Sequence, residues 1–169
     1  MGSLFRKNTV VFCSMALLSV LSVSVHATEN VPSRPEPLID GYYPPYPSIT
    51  PGKTPEQQKQ IERGEYLAKI GDCIACHTDV KGGTPAFAGG LPLVTPFGTF
   101  YSPNITPDKE TGIGNWTESD FIRAMKEGRD PKGHNYFPVF PYLYFSNMTD
   151  DDVKDLYAYL MNIPPDSTK

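Results

Sequence analysis

The chain has 169 residues, the length of one modest domain, and its net charge of −4 excludes the basic footprint of a nucleic-acid binder. Its 18 prolines and 14 glycines speak against a regular helix bundle or an open α/β sheet, and three cysteines cannot make a dense disulfide framework. A short, loop-rich chain without such staples needs another source of stability, and a bound cofactor supplies one.

Residues 1–27 read as a secretory signal peptide. Arg6 and Lys7 precede an uncharged run from Asn8 to Val25, and Val25-His26-Ala27 places a small residue at the cut. Cleavage is expected after Ala27, which removes Cys13. The competing reading is an uncleaved membrane anchor, but the run is short for a span and contains four serines. Both readings export the rest of the chain, so a periplasmic location is expected. Without residues 1–27 there are 13 basic against 19 acidic residues, with two cysteines and two histidines.

Residues 28–51 form a Pro/Tyr-rich linker. Seven prolines and three tyrosines lie between Val31 and Pro51, and proline removes donors and fixes φ, so the stretch is expected to be extended. It reads as a tether, with an arm laid over the domain as the alternative.

A helix is expected from Pro55 to about Ile70. Thr54 is the N-cap, Pro55 sits at N1 and Gln57 at N3. Ile61, Leu67 and Ile70 are expected inward, and Gly71 ends the helix. Gly64 costs it about 1 kcal/mol relative to Ala, which points to close approach by another helix.

Cys73-Ile74-Ala75-Cys76-His77 follows. In an exported chain this spacing reads as c-type haem attachment. Two thiols on one helical turn meet the two vinyl groups, and the adjacent imidazole becomes the proximal iron ligand. A lone structural disulfide, a redox dithiol and a zinc site are weaker alternatives. The βαβ context of a redox dithiol is absent, and no further cysteine pair exists for zinc.

A middle helix is expected over about Glu118–Glu127, capped by Thr117 or Ser119, with Phe121, Ile122, Ala124 and Met125 for the core and Gly128 as its stop. A last helix starts at the Thr149 cap with Asp150, Asp151 and Asp152 in its first turn. Val153, Leu156, Tyr157 and Leu160 form its apolar stripe, and Tyr157 or Tyr159 is expected over Gly64.

Three stretches carry a resemblance: Arg63-Gly64-Glu65-Tyr66-Leu67-Ala68, Ser102–Asp108 continued by Thr111–Trp116, and Pro138-Val139-Phe140-Pro141-Tyr142. With the haem motif they resemble the class I cytochrome c domains of subunits serving bacterial membrane-bound alcohol- and gluconate-type dehydrogenases. The resemblance covers about residues 52–165 and leaves 166–169 as a tail. It implies an all-α fold of three to four helices wrapped with long loops around one covalent haem c. Family members usually carry two or three such domains; this chain shows one motif, as a one-domain relative or a shortened one would.

The family's sixth ligand is implied at the Met of a Pro-x-Met-Pro-Tyr stretch, where this chain has Phe140. Met148, just before the last helix, is the first choice here, since thioether sulfur favours ferrous iron. Its other role is packing next to the Thr149 cap. His134 would give a bis-His haem, or is an ordinary loop histidine. Met125 and Met161 sit on helices and read first as core, and an open sixth position also remains.

Six aromatic rings between Tyr136 and Phe145, among them Phe137, Phe140 and Tyr142, are expected to wall the haem, with a docking patch as the second reading. The resemblance places Trp116 near a haem propionate. Asn104, Thr106 and Arg123 are weaker candidates there.

The expected function is single-electron transfer between a dehydrogenase or quinol and a downstream cytochrome or oxidase, without catalysis by this chain. Membrane association through a partner or an uncleaved leader is compatible with this. The alternative is a haem enzyme or sensor with an open or displaceable sixth site. It lacks an evident convergent acid/base pair. Acidity favours partners presenting basic residues.

Overall fold

A computed structural model of the protein describes residues 43–167; the expected signal peptide, Cys13 and the first part of the linker lie outside the described residues. The elements run α1 (Pro55–Ile70), α2 (Cys73–Cys76), β1 (Pro92–Thr95), β2 (Gly98–Tyr101), α3 (Glu118–Glu127), α4 (Tyr142–Phe145) and α5 (Asp150–Leu160). Helices with long connecting loops dominate, as the all-α class I expectation has it.

Helix α1 starts as its sequence dictates. The Thr54 hydroxyl accepts from the Gln57 N–H at 3.2 Å, and Pro55 spends no donor at N1. The Gln57 side chain reaches one residue further back than a capping box requires, accepting from the Lys53 N–H at 2.9 Å. Ile61, Gly64, Leu67 and Ala68 are buried. Ile70, expected inward, is 63% exposed. It stands nine residues after Ile61, half a turn out of phase with that face.

Helices α1 and α5 pack face to face through Gly64. A β-carbon at Gly64 would collide with the Asp155 carbonyl and come within 2.7 Å of the Tyr159 Cβ. Of the two tyrosines expected over Gly64, Tyr159 is the one that lies there. Tyr157 instead donates its hydroxyl proton to the Trp116 carbonyl at 2.7 Å, tying α5 to the loop before α3.

The three acids opening α5 do more than complement its dipole. Asp152 pairs with Arg63 of α1 at 2.9 Å, Asp150 pairs with Lys126 of α3, and Asp151 pairs with Lys154 at 3.3 Å. The Thr149 hydroxyl also caps Asp152 N–H. Helix α3 carries a full capping box between Thr117 and Asp120 and ends at Gly128, whose φ of 66° lies in the left-handed region.

One hairpin was not anticipated from sequence. Strands β1 and β2 form an antiparallel hairpin with Leu93 opposite Phe100. Four-residue strands interrupted by Pro96 carry too little alternation to be read. The described part of the Pro/Tyr-rich segment lies against the domain, the alternative to the plain tether that the sequence favoured. Tyr46 and Ile49 pack on the core, and the Thr50 N–H donates to the Asn162 carbonyl at 2.7 Å.

One core unites these parts. Ile61, Ala68, Ile74, Phe87, Ile113, Phe121, Met125, Val153, Leu156, Tyr159 and Leu160 form a single buried cluster. Among the described residues no helix is long and apolar enough to cross a membrane.

Candidate functional site

The haem-attachment motif occupies a single turn. Asp72, in the left-handed region with φ 50°, breaks the chain direction after α1, and α2 then carries Cys73 to Cys76. The His77 N–H closes that turn on the Cys73 carbonyl at 3.0 Å. Ile74 is buried and anchors α2 to the core. Cys73 is half-buried and Cys76 exposed, and no disulfide joins them. Burial, aided by the charges of Asp72 and Cys76, pushes the Cys73 thiol up to about 11. It stays protonated at neutral pH.

His77 Nδ1 lies 2.8 Å from the Pro103 carbonyl oxygen. A carbonyl can only accept, so Nδ1 carries the proton and Nε2 holds the lone pair. The side chain keeps a solvent-facing edge, yet protein atoms surround it closely. Desolvation therefore lowers its pKa, against the opposing pull of the Pro103 carbonyl. The neutral ring, fixed in one tautomer by its second nitrogen, is the form that ligates a metal.

A glycine pair sets the His77–Pro103 spacing. The Gly89 N–H donates to the His77 carbonyl at 2.8 Å, and the Gly90 N–H donates to the Ser102 carbonyl at 2.9 Å. Both glycines have positive φ, and a β-carbon at Gly89 would lie 2.5 Å from the Pro103 carbonyl carbon. Only glycine lets the loop pass between the haem turn and the Pro103 segment. The sequence alone assigned these glycines no role.

The remaining expected site residues separate into groups. Met148 is half-buried and packs against the core beside the Thr149 cap. His134 is an exposed loop residue, with its side chain 74% exposed and Nδ1 at 2.9 Å from Asp130. Met125 is enclosed in the core, and Met161 caps the end of α5. Trp116 packs against the core.

Asn104 holds a local hydrogen-bond network. Its amide donates to the Thr111 hydroxyl at 2.9 Å and to the Asp166 carbonyl at 2.6 Å. Its oxygen accepts from both the N–H and the hydroxyl of Thr106. With both amide hydrogens engaged, Asn104 staples the 104–111 loop to the C-terminal segment. Thr106 is buried in the same staple. Arg123 has Nη2 on Asp120 at 2.7 Å, while its Nε is buried and lacks a partner among the described residues.

The aromatic cluster divides. Phe137 stacks on Phe100 of β2 at 4.2 Å between ring centroids, and Phe140 stacks on Phe145 at 5.8 Å. Tyr142 lies against Gly128, and Tyr144 is 81% exposed.

The donor set fits haem c. Two unjoined thiols share one turn with an imidazole of assigned tautomer, whereas no group of three or more metal-binding side chains gathers among the described residues.

Comparison with known proteins agrees. A family model described as Cytochrome c matches residues 61–164. The chain is 54% identical over 102 residues to the gluconate 2-dehydrogenase cytochrome c subunit of Pantoea cypripedii, covering 60% of this chain and 23% of that protein. It is 48% identical over 102 residues to the alcohol dehydrogenase (quinone) cytochrome c subunit of Gluconobacter oxydans, covering 60% of this chain and 21% of that protein. Against a diheme c-type cytochrome of Cereibacter sphaeroides the identity is 40% over 109 residues, covering 63% of this chain and 37% of that protein. The chain thus spans well under half the length of these relatives. The attachment turn, the fixed imidazole and the family match together place this chain in the cytochrome c family, whose domain carries covalently bound haem c.

Proposed function

We propose that the protein is an exported, mono-haem c-type cytochrome that carries single electrons between a dehydrogenase or quinol and a downstream cytochrome or oxidase. The observation that carries this reading is the His77–Pro103 hydrogen bond beside Cys73 and Cys76, a prepared proximal side for one haem. The relatives' names, as cytochrome subunits of dehydrogenases, support the partner class. When bound, the haem supplies a one-electron couple. The chain anchors it through both cysteines, holds His77 by the Pro103 carbonyl and excludes water with apolar walls.

In this reading Met148 is the sixth ligand. It packs at the core edge two residues before α5, on a short loop held by the Met148 N–H to Phe145 carbonyl bond of 2.9 Å. Phe137, Phe140 and Tyr142 contribute to the wall. Trp116 and the unpaired Nε of Arg123 serve the propionates, while Asn104 holds their loop. The haem-enzyme reading has less support, because His134, the other histidine of the exported part, is turned to Asp130 at the surface.

Expression with a haem-attachment system tests the proposal. One haem per chain by pyridine haemochrome, release of the leader after Ala27, slow carbon monoxide binding by the ferrous protein, and co-purification of a dehydrogenase from solubilised membranes are expected. Rapid carbon monoxide binding at neutral pH would overturn the carrier reading in favour of an open sixth site.

A further inference from the structure

Tyr46, in the segment before α1, meets the domain near the end of α1 and the core side chains Phe87 and Tyr159. The Tyr46 hydroxyl points to the Ala68 carbonyl at 3.4 Å, a long bond, so its ring contributes more than its hydroxyl. That ring meets Phe87 edge-on at 5.6 Å, and Phe87 meets Tyr159 edge-on at 6.1 Å. Phe87 and Tyr159 are fully buried. The Lys69 ammonium lies over the Tyr46 ring at 5.2 Å, covering its outer side. Tyr46 and Cys73 pack against the same core cluster.

Tyr43 lines a cleft of about 430 Å³ with Ala75, Thr78, Asp79, Leu91 and Pro92. Ala75 stands between the two attachment cysteines. At the other end, Thr50 N–H holds the segment to Asn162 after α5. The segment is thus held at Thr50 and Tyr46, with Tyr43 bordering the cleft beside the attachment turn.

We propose that Tyr46 is a positioning residue for the haem: its ring closes the flank of Cys73 against solvent, rigidifies the attachment turn, and so raises the reduction potential. The inference rests on the haem reading above. Its physical cause is dielectric. Ferric haem carries one more positive charge than ferrous haem, and excluding water penalises the more charged state. Opening the flank readmits water beside the thioether of Cys73 and favours the ferric form.

The test compares Tyr46→Ala and Tyr46→Phe in the haem-loaded full chain, reading the midpoint potential and amide exchange at Ala75 and His77. Tyr46→Ala is expected to shift the potential negative and accelerate exchange at both amides. Tyr46→Phe is expected to retain both wild-type values, because the ring is what seals the site. A folded Tyr46→Ala with unchanged potential overturns the proposal, whatever its stability. Should that variant not fold, Thr50→Pro, which removes the N–H held by Asn162, is read in the same two ways and decides it. Absence of haem from the unsubstituted chain would instead refute the haem reading, so the two failures are distinguishable.

Discussion

Gly64 of α1 and Tyr159 of α5 touch backbone to side chain, with space for a hydrogen on Gly64 and for nothing larger. The contact joins the two ends of the domain and buries the Tyr159 side chain completely. Gly64→Ala therefore gains helix propensity and loses the interface. The collision is with the Asp155 backbone, which cannot swing away as a side-chain tip could. The gain is about 1 kcal/mol and the overpacking cost about 3 kcal/mol, so a net loss of about 2 kcal/mol is expected. Thermal unfolding should report a fall in Tm of roughly 10 °C.

Gly89→Ala acts at the haem side. It places a β-carbon against the Pro103 carbonyl carbon and forces a non-glycine residue to a φ of 77°. The left-handed conformation alone costs about 1 kcal/mol. The expected outcome is a longer His77–Pro103 hydrogen bond, read by NMR as faster exchange of the His77 Nδ1 proton. A Gly89→Ala protein with unaltered Nδ1 exchange would show that this glycine does not set the spacing.

Met148→Ala and His134→Ala separate the two sixth-ligand assignments. Met148→Ala is expected to abolish the ferric sulfur-to-iron charge-transfer band and to speed carbon monoxide binding to the ferrous form. His134→Ala is expected to leave both unchanged, since its imidazole faces Asp130 at the surface. The opposite pattern would reassign the ligand.

The acid limb of stability should depend on Asp152. The Arg63 guanidinium, and then the Thr149 hydroxyl, hold its carboxyl below the usual carboxylate range. The native state then binds fewer protons than the unfolded chain as pH falls into that range. Its contribution is complete above the unfolded pKa and is lost as pH falls through the native value. Arg63→Met should therefore shallow the stability loss between neutral and acid pH, measured by denaturant unfolding at several pH values. High salt should weaken the effect, because the pair is partly exposed.

The helix boundaries were legible because local chemistry sets them. Thr54 with Pro55, Thr117 with Asp120, and Thr149 with Asp152 each satisfy backbone donors within one turn. Ile70 shows the limit of stripe reading, since a residue near the correct spacing still falls out of phase at the end of a helix. The hairpin Pro92–Tyr101 was not legible, because its four-residue strands carry too little alternation, and a docked arm stood only as the alternative to a tether, because the partners of Tyr46, Ala68 and Phe87, are distant in the chain.

By itself the sequence determined the attachment chemistry, through the spacing of Cys73, Cys76 and His77, and the capped helices that frame it. Both are properties of a few consecutive residues. Tertiary structure alone decided which carbonyl fixes His77, which tyrosine covers Gly64, that Asn104 is a loop staple, and that residues 43–51 lie against the domain. Those outcomes depend on which surfaces meet, 26 residues apart for His77 and Pro103 and 62 for Asn104 and Asp166. No local rule of dihedrals or capping reaches across such separations; shared burial and exclusion of water select them.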